Sequence, residues 1–423
     1  MQESFENSHP GEVQMNVLRL RNLLPVTLVL FSITLVFVGA TPLAAPAGDR
    51  EGVATTINAL AFDLYPKLVH RNENLFFSPY SISAALAMTY AGARGDTQRQ
   101  MPKVLHFARQ GQGIHSLFGS FTRELTSSKL NGGQLKITNA LWGQTGYPFL
   151  DAFVKLVGDN YGGALRLIDF KASPDKARRK INKWVENQTQ EKIKDLIKPG
   201  LIDGSTRLVL TNAIYFKGMW SKKFDKGKTK ETAFSLLDGA EIKVPMMRQT
   251  DKFGYMKGNG FQVLELPYGG DALSMVVLLP DKPRGIEEFE RSVTREKLTA
   301  WLERLRRQKV AVYIPRFKIS TPTYRLDSAL KSLGMTDAFS LLRADFSGMT
   351  SKKDLYVSAV LHKGYVDVNE EGTEAAASTA VMMRLKSGRP SSIPEFRADH
   401  PFMFLIRHKS SNCILFLGRF CKP

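Results

Sequence analysis

Cysteine is almost missing from this chain of 423 residues, which has only Cys413 and Cys421. If the segment holding them is a strand, their Cα atoms lie about 26 Å apart at ~3.3 Å per residue. A disulfide needs them within roughly 7 Å, so a disulfide framework and a cysteine-ligated zinc site are excluded. Histidine is sparse and scattered, at positions 9, 70, 106, 115, 362, 400 and 408, with no spacing that suits a metal. There is no GxSxG elbow, HExxH, P-loop or GxGxxG, so an enzyme reading has no positive support. Fixed-period repeats and Pro- or Ser-rich linkers are also lacking after residue 48.

Positive charge, by contrast, is in excess. Lys and Arg number 59 against 40 Asp and Glu, a net charge of +19. Such a balance favours polyanions, anionic membranes or acidic partners and says nothing about fold; a solvated basic surface is the plain alternative. The composition, 43% hydrophobic and 23% charged, is ordinary globular usage and supplies a sizeable core.

The amino terminus reads as a targeting segment. Arg19 and Arg21 precede an uncharged run from Leu23 to Ala40, and small residues follow it. A basic start, an apolar middle and a small-residue exit describe a secretory signal over residues 1–47, and the run is also just long enough to cross a bilayer. The expectation is a secreted, extracellular protein. Asn187-Gln188-Thr189 is then an N-glycosylation sequon.

Helical patterns come early. Ile57, Leu60, Ala61, Leu64 and Leu68 follow the 3.6-residue period, and a second helix follows Ser78-Pro79 and stops near Gly92. Residues 174–198 read as a further amphipathic helix. Strand-like runs take over later, among them RLVLTNAIYFKGMW, ALSMVVLLP, KVAVYIPRF, PFMFLIRH and CILFLGRF. The last two flank Lys409-Ser410-Ser411-Asn412, a hairpin turn. Early helices and late, mostly antiparallel strands indicate a single α+β domain over residues 48–423.

The informative segment is residues 367–400. Alanine-rich Glu374–Val381 favours helix by propensity, yet its neighbours are strands and a long polar stretch with two prolines follows. Its parity suits a strand as well. Thr373, Ala375, Ala377, Thr379, Val381 and Met383 are uncharged, while Glu374, Arg384 and Lys386 occupy the alternate positions.

From about residue 52 onward the chain resembles the serpins, the serine protease inhibitors. The resemblance rests on Asn74–Ile82, on Thr211–Trp220, and on Asn369-Glu370-Glu371-Gly372-Thr373-Glu374-Ala375-Ala376-Ala377. Asp399-His400-Pro401-Phe402 and Phe416-Leu417-Gly418 complete it. It implies three β-sheets, about nine helices and an exposed reactive loop near residues 370–398. It also implies a covalent suicide inhibitor, not an enzyme, that works as a monomer without cofactor or nucleic acid. In this family the loop is cleaved by a protease and inserts as a new strand. Residues that turn inward must then be small or apolar, because an unpaired buried charge costs several kcal/mol. Thr373, Ala375 and Ala377 meet that demand.

Counting sixteen positions from Glu370, as the family does, gives Lys386-Ser387 as the bait bond and a trypsin-like serine protease as the partner. Arg384-Leu385 is the rival, and Arg389 is disfavoured by Pro390. The resemblance also places Ser78, Ser81, Asn212 and His362 in a polar cluster under the opening sheet. It pairs Arg316 with Glu370, and it puts Trp220 at the loop entry. A satisfied buried network, and core packing for Trp220, are the plain alternatives.

Three basic clusters suit a heparin-like glycosaminoglycan: Lys176, Arg178, Arg179, Lys180 and Lys183; Lys222, Lys223, Lys226, Lys228 and Lys230; and Arg304, Arg306, Arg307 and Lys309, read as a helix end. A non-inhibitory serpin acting as carrier or chaperone, and a glycan-binding extracellular protein, remain the rival readings of function.

Overall fold

The computed structural model describes residues 47–107, 113–128, 130–162, 165–373 and 393–423. The first half is mostly helical: α1 (Ala47–Leu68), β1 (Leu75–Phe77), α2 (Pro79–Tyr90), α3 (Gly95–Val104), α4 (Gly113–Ser127), β2 (Gln134–Gln144), α5 (Asp151–Tyr161), β3 (Leu165–Ile168) and α6 (Pro174–Gln188). Strands follow: β4 (Leu208–Met219), β5 (Lys230–Ser235), β6 (Glu241–Lys257), β7 (Phe261–Pro267) and β8 (Leu273–Pro280). Next come α7 (Ile286–Ser292), α8 (Arg295–Arg304), β9 (Arg306–Pro315), β10 (Phe317–Ser320), β11 (Tyr324–Arg325) and α9 (Asp327–Ser332). The chain closes with β12 (Ala359–Lys363), β13 (Tyr365–Asn369), β14 (Gly372–Thr373), β15 (Glu395–Arg397), β16 (Phe402–His408) and β17 (Cys413–Phe420). All of these elements fall within one compact unit that begins at Ala44.

The strands make three sheets, as the resemblance implies. One runs β1-β17-β16-β8-β7-β6 and shares the long β6 with a second, in which β6 pairs β5 and β9, and β9 pairs β15. β8, β16 and β17 are buried at every position, which is how strands covered on both faces read. Phe76 stacks between Phe404 and Phe416 to knit β1 to this layer. The hairpin turn 409–412 joins β16 to β17 as the sequence indicates. Cys413 and Cys421 are free thiols, both buried.

The third sheet carries the site. β4 lies at its centre, with β2 on one side and β12 on the other. The β2 pairing is antiparallel along ten residues, but the β12 pairing is parallel and limited to Val209–Ala213 against Ala359–Lys363. A local cap starts α2 beneath this sheet: Ser78 is extended, its hydroxyl accepts from Ser81 N–H, and Pro79 opens the helix.

Two readings of the secondary structure change. The helix expected over 174–198 stops at Gln188, where Gln190 and Glu191 take positive φ. The basic run 304–309 is not a helix end: only Arg304 is helical, and Arg306, Arg307 and Lys309 lie on β9.

Candidate functional site

At the head of the third sheet the chain turns at Glu370-Glu371 and enters β14. Gly372 and Thr373 pair antiparallel with Asn369 and Val368 on β13 and with Met219 and Gly218 on β4. Gly372 has φ +151°, and a Cβ there would overlap the carbonyl oxygen of Gly218, so only glycine fits. Among the described residues, β14 reaches only Gly218 and Met219 of β4 and Val368 and Asn369 of β13. Below this two-residue wedge the two strands continue side by side as a slot, about 13 Å long for four residues at ~3.3 Å each.

The turn is held by charge. Glu370 is buried, and its carboxylate accepts from Arg316 and from the Thr229 hydroxyl, each at 2.6 Å. Burial raises its pKa, but these donors outweigh burial and hold the carboxyl below its usual range. Glu371 is also buried and meets Lys223 at 2.7 Å and Lys226 at 3.4 Å, which overcome burial in the same way. Trp220 packs on Tyr268 with ring centres 4.7 Å apart, and its indole N–H donates to Asn369 O at 2.8 Å. The Tyr268 hydroxyl in turn meets that of Thr373 at 2.7 Å.

Lower down, where β12 closes on β4, the expected polar residues come together. Asn212 donates to Ser81 Oγ at 2.6 Å, and Ser78 Oγ donates to Leu415 O at 2.6 Å. Ser78 N–H donates to His362 Nε2 at 3.2 Å, so the ring proton belongs on Nδ1, which donates to Asn212 Oδ1 at 2.5 Å. Full burial lowers the His362 pKa to about 3 and keeps the ring neutral.

Sequence reading missed four participants. Asn139 on β2 accepts from both Ser81 and Asn212 at 2.7 Å, and its polar side chain in an apolar strand was the available signal. Thr229, Lys223 and Lys226 were not legible as partners of the turn, because nothing local links them to residue 370. The lysine run 222–230, expected to face a glycan, is largely occupied: besides the two contacts to Glu371, Lys222 pairs with Asp251 and Lys228 with Asp225. In α6, Arg178 and Arg179 both pair with Asp175, and Lys183 pairs with Glu186. Asn187 is exposed on α6, but the Thr189 of its sequon is buried, with its hydroxyl donating to Val185 O. Glu374, Ala375, Ala376, Ala377 and the candidate bonds at Arg384-Leu385, Lys386-Ser387 and Arg389 lie outside the described residues, as does the run Leu23–Ala40.

Comparison with known proteins agrees with this geometry. The family model described as Serpin (serine protease inhibitor) matches residues 55–423. Leukocyte elastase inhibitor of Bos taurus is 45% identical over 383 residues, covering 88% of this chain and 100% of that protein. Serpin B6 of Macaca fascicularis is 44% identical, covering 83% and 94%. Among solved structures, uncleaved ovalbumin superposes with a TM-score of 0.79 at 34% identity, and a loop-inserted, cleaved ovalbumin mutant with 0.77 at 33%. Both cover 88% of this chain and 100% of ovalbumin. Leukocyte elastase inhibitor and serpin B6 overturn the expected secretion: they are intracellular serpins that lack a signal peptide, which points to a cytoplasmic and not a secreted protein. With family model, relatives and a wedge-and-slot sheet in agreement, the chain belongs to the serpin family of serine protease inhibitors.

Proposed function

We propose that this serpin traps its protease covalently by inserting residues 372–385 into the slot between β4 and β13. The single observation that supports this reading is β14, which already occupies the head of the slot in the register the inserted strand would continue. Fourteen residues at ~3.3 Å carry the cleaved end about 46 Å along the sheet. The protease serine forms an ester with the Lys386 carbonyl and the Ser387 amine leaves; insertion then outruns attack by water on that ester. The newly inserted strand satisfies the backbone donors and acceptors along both edges. Thr373 faces inward and is buried, and alternation then turns Ala375, Ala377, Thr379, Val381 and Met383 inward too.

Lys386-Ser387 is the bait in this reading, with Arg384-Leu385 the rival, and a trypsin-like enzyme the partner. A second reading comes from the relatives named leukocyte elastase inhibitor: an enzyme that prefers apolar residues would cut in the run Val381–Met383. Incubation with trypsin and with elastase, followed by denaturing gels and mass spectrometry, separates them. The first reading expects a denaturant-stable complex with trypsin and cleavage after Lys386. A complex with elastase alone and a cut at Met383 selects the second. Cleavage without a stable complex by either enzyme selects a non-inhibitory serpin.

A further inference from the structure

The register of β6, β9 and β15 regroups basic residues that are far apart in sequence. Arg248 lies opposite Tyr313, Lys252 opposite Lys309, and Gly254 opposite Arg307, while Arg397 of β15 is paired with Tyr313 from the other side. Residues directly opposite in a ladder share one face, and here that face is the outer one. Arg248, Lys252, Arg307 and Lys309 are all exposed, and their neighbours Val310 and Val312 are buried. The two guanidiniums lie over Tyr313 at 5.2 and 3.8 Å, which fixes their planes.

This face is not neutralised by its own surroundings. No ion pair joins Arg248, Lys252, Arg307 or Lys309 to an acid among the described residues. The acids that share this face are already held: Glu395 by Arg397 at 2.6 Å, and Glu265, opposite Gly254, by Arg407 at 2.6 Å. Asp251, one step along β6 from Lys252, is held by Lys222 at 3.1 Å and feels the Arg307 charge. Like charges directly opposite, as Lys252 and Lys309 are, destabilise a sheet. The arrangement therefore opposes folding and gains only when an anion arrives.

Its position indicates which anion. Ala311 N–H donates to Pro394 O at 2.8 Å, so the described chain resumes after residue 392 against this very strand. At the other side, Gln249 donates to Lys222 O just beyond Trp220, beside the wedge. The chain that follows the wedge thus rejoins the described residues at this face, and a protease that takes residues 374–392 as bait is offered the face beside that junction. The cationic row from Arg307 to Tyr313 is about 20 Å long, a footprint that suits a surface segment of the protease docked next to that junction.

We infer that this face is an exosite that receives an acidic surface segment of the target protease. The inference rests on the inhibitory reading above and adds to it a second docking surface, one that sets the association rate rather than the chemistry. Exposed charges of this kind steer encounter and are screened by salt.

Two measurements test it. The first, binding of a fluorescent glutamate-rich peptide followed by anisotropy at low salt, needs no reaction at the loop. The double reversal Lys309→Glu/Arg307→Glu is expected to weaken it about tenfold or more, and the control Lys176→Glu/Lys180→Glu on α6 to leave it unchanged. Lys252→Gln/Lys309→Gln keeps the test independent of folding, because it should weaken binding while raising the melting temperature. Equal binding by all variants overturns the exosite, and so does capture of a heparin oligosaccharide but not of the peptide. The second compares association rates with an anionic and a cationic trypsin. The native chain should favour the anionic enzyme, and the reversal should erase that preference without altering inhibition stoichiometry. Equal rates with the two enzymes overturn the exosite. If neither trypsin forms a complex, the trypsin-directed inhibitory reading fails, and the peptide titration still decides whether the acidic-segment surface exists.

Discussion

Thr373 and Tyr268 share a hydroxyl–hydroxyl contact of 2.7 Å in a fully buried setting, so the first inward position of the inserting segment is already seated. A charge at this position would be buried without a partner. Thr373→Arg should therefore stall insertion and turn the inhibitor into a substrate, raising the stoichiometry of inhibition at least about tenfold. Titration against trypsin measures it, and an unchanged stoichiometry would show that Thr373 does not lead the insertion.

Gly372 supplies the positive φ that lets the chain pass from the Glu370-Glu371 turn into β14. Gly372→Ala should strain the backbone and push Cβ into Gly218 O, at a cost of about 1–3 kcal/mol. The expected outcome is a wedge expelled from the sheet, seen as quicker hydrogen exchange at Thr373 and Gly218 with the β8–β16 core still protected. Unaltered exchange at the wedge would contradict the strain argument.

Acid should weaken the closed sheet through His362. Its folded pKa is about 3, below the ordinary value of about 6.5, so the unfolded ring takes up a proton first as pH falls. Its stabilising effect is thus complete above pH ~6.5 and declines at up to ~1.4 kcal/mol per pH unit below it. The lowered carboxyls of Glu370 and Glu371 act in the same direction, their contribution fading as pH drops through their folded values. Urea midpoints at pH 7.5 and 5.5 should differ in the native chain and differ less in His362→Asn. Identical midpoints in the native chain would rule out the buried neutral histidine.

Among the described residues, β14 fills only the head of the slot between β4 and β13, so the insertion proposal expects the intact molecule to fall short of its most stable arrangement. Nicking the segment between 374 and 392 should let it pair along both edges. Calorimetry should then show the melting temperature rising by more than about 10 °C, which for a chain of this size amounts to several kcal/mol. Equal melting of nicked and intact protein would remove the insertion mechanism.

Much of the framework could be read along the chain. The 3.6-residue spacing from Ile57 to Leu68 marks the buried face of α1, and the apolar runs around Lys409–Asn412 mark β16 and β17. Ser78 before Pro79 announces a helix start, because an extended side-chain acceptor followed by a donor-free residue favours that geometry. These signals are local, and local physics is what periodicity and caps record. The helix expected past Gln188 failed for the same reason: the pattern continues weakly, but Gln190 and Glu191 turn into positive φ.

The sequence by itself determined the family, because blocks such as Asn74–Ile82 and Thr211–Trp220 are runs of neighbouring residue types, and that resemblance in turn pointed to a small-residue hinge and to the polar residues that meet beneath the sheet. Only the tertiary structure decided which lysines hold Glu371, that Asn139 completes the cluster around Asn212, and that Lys252 faces Lys309. Charge and hydrogen bonding act through space over a few ångströms, and the residues concerned lie dozens to hundreds of positions apart. Composition counts a lysine as positive wherever it stands; strand register determines whether it neutralises a buried carboxylate or waits for a partner.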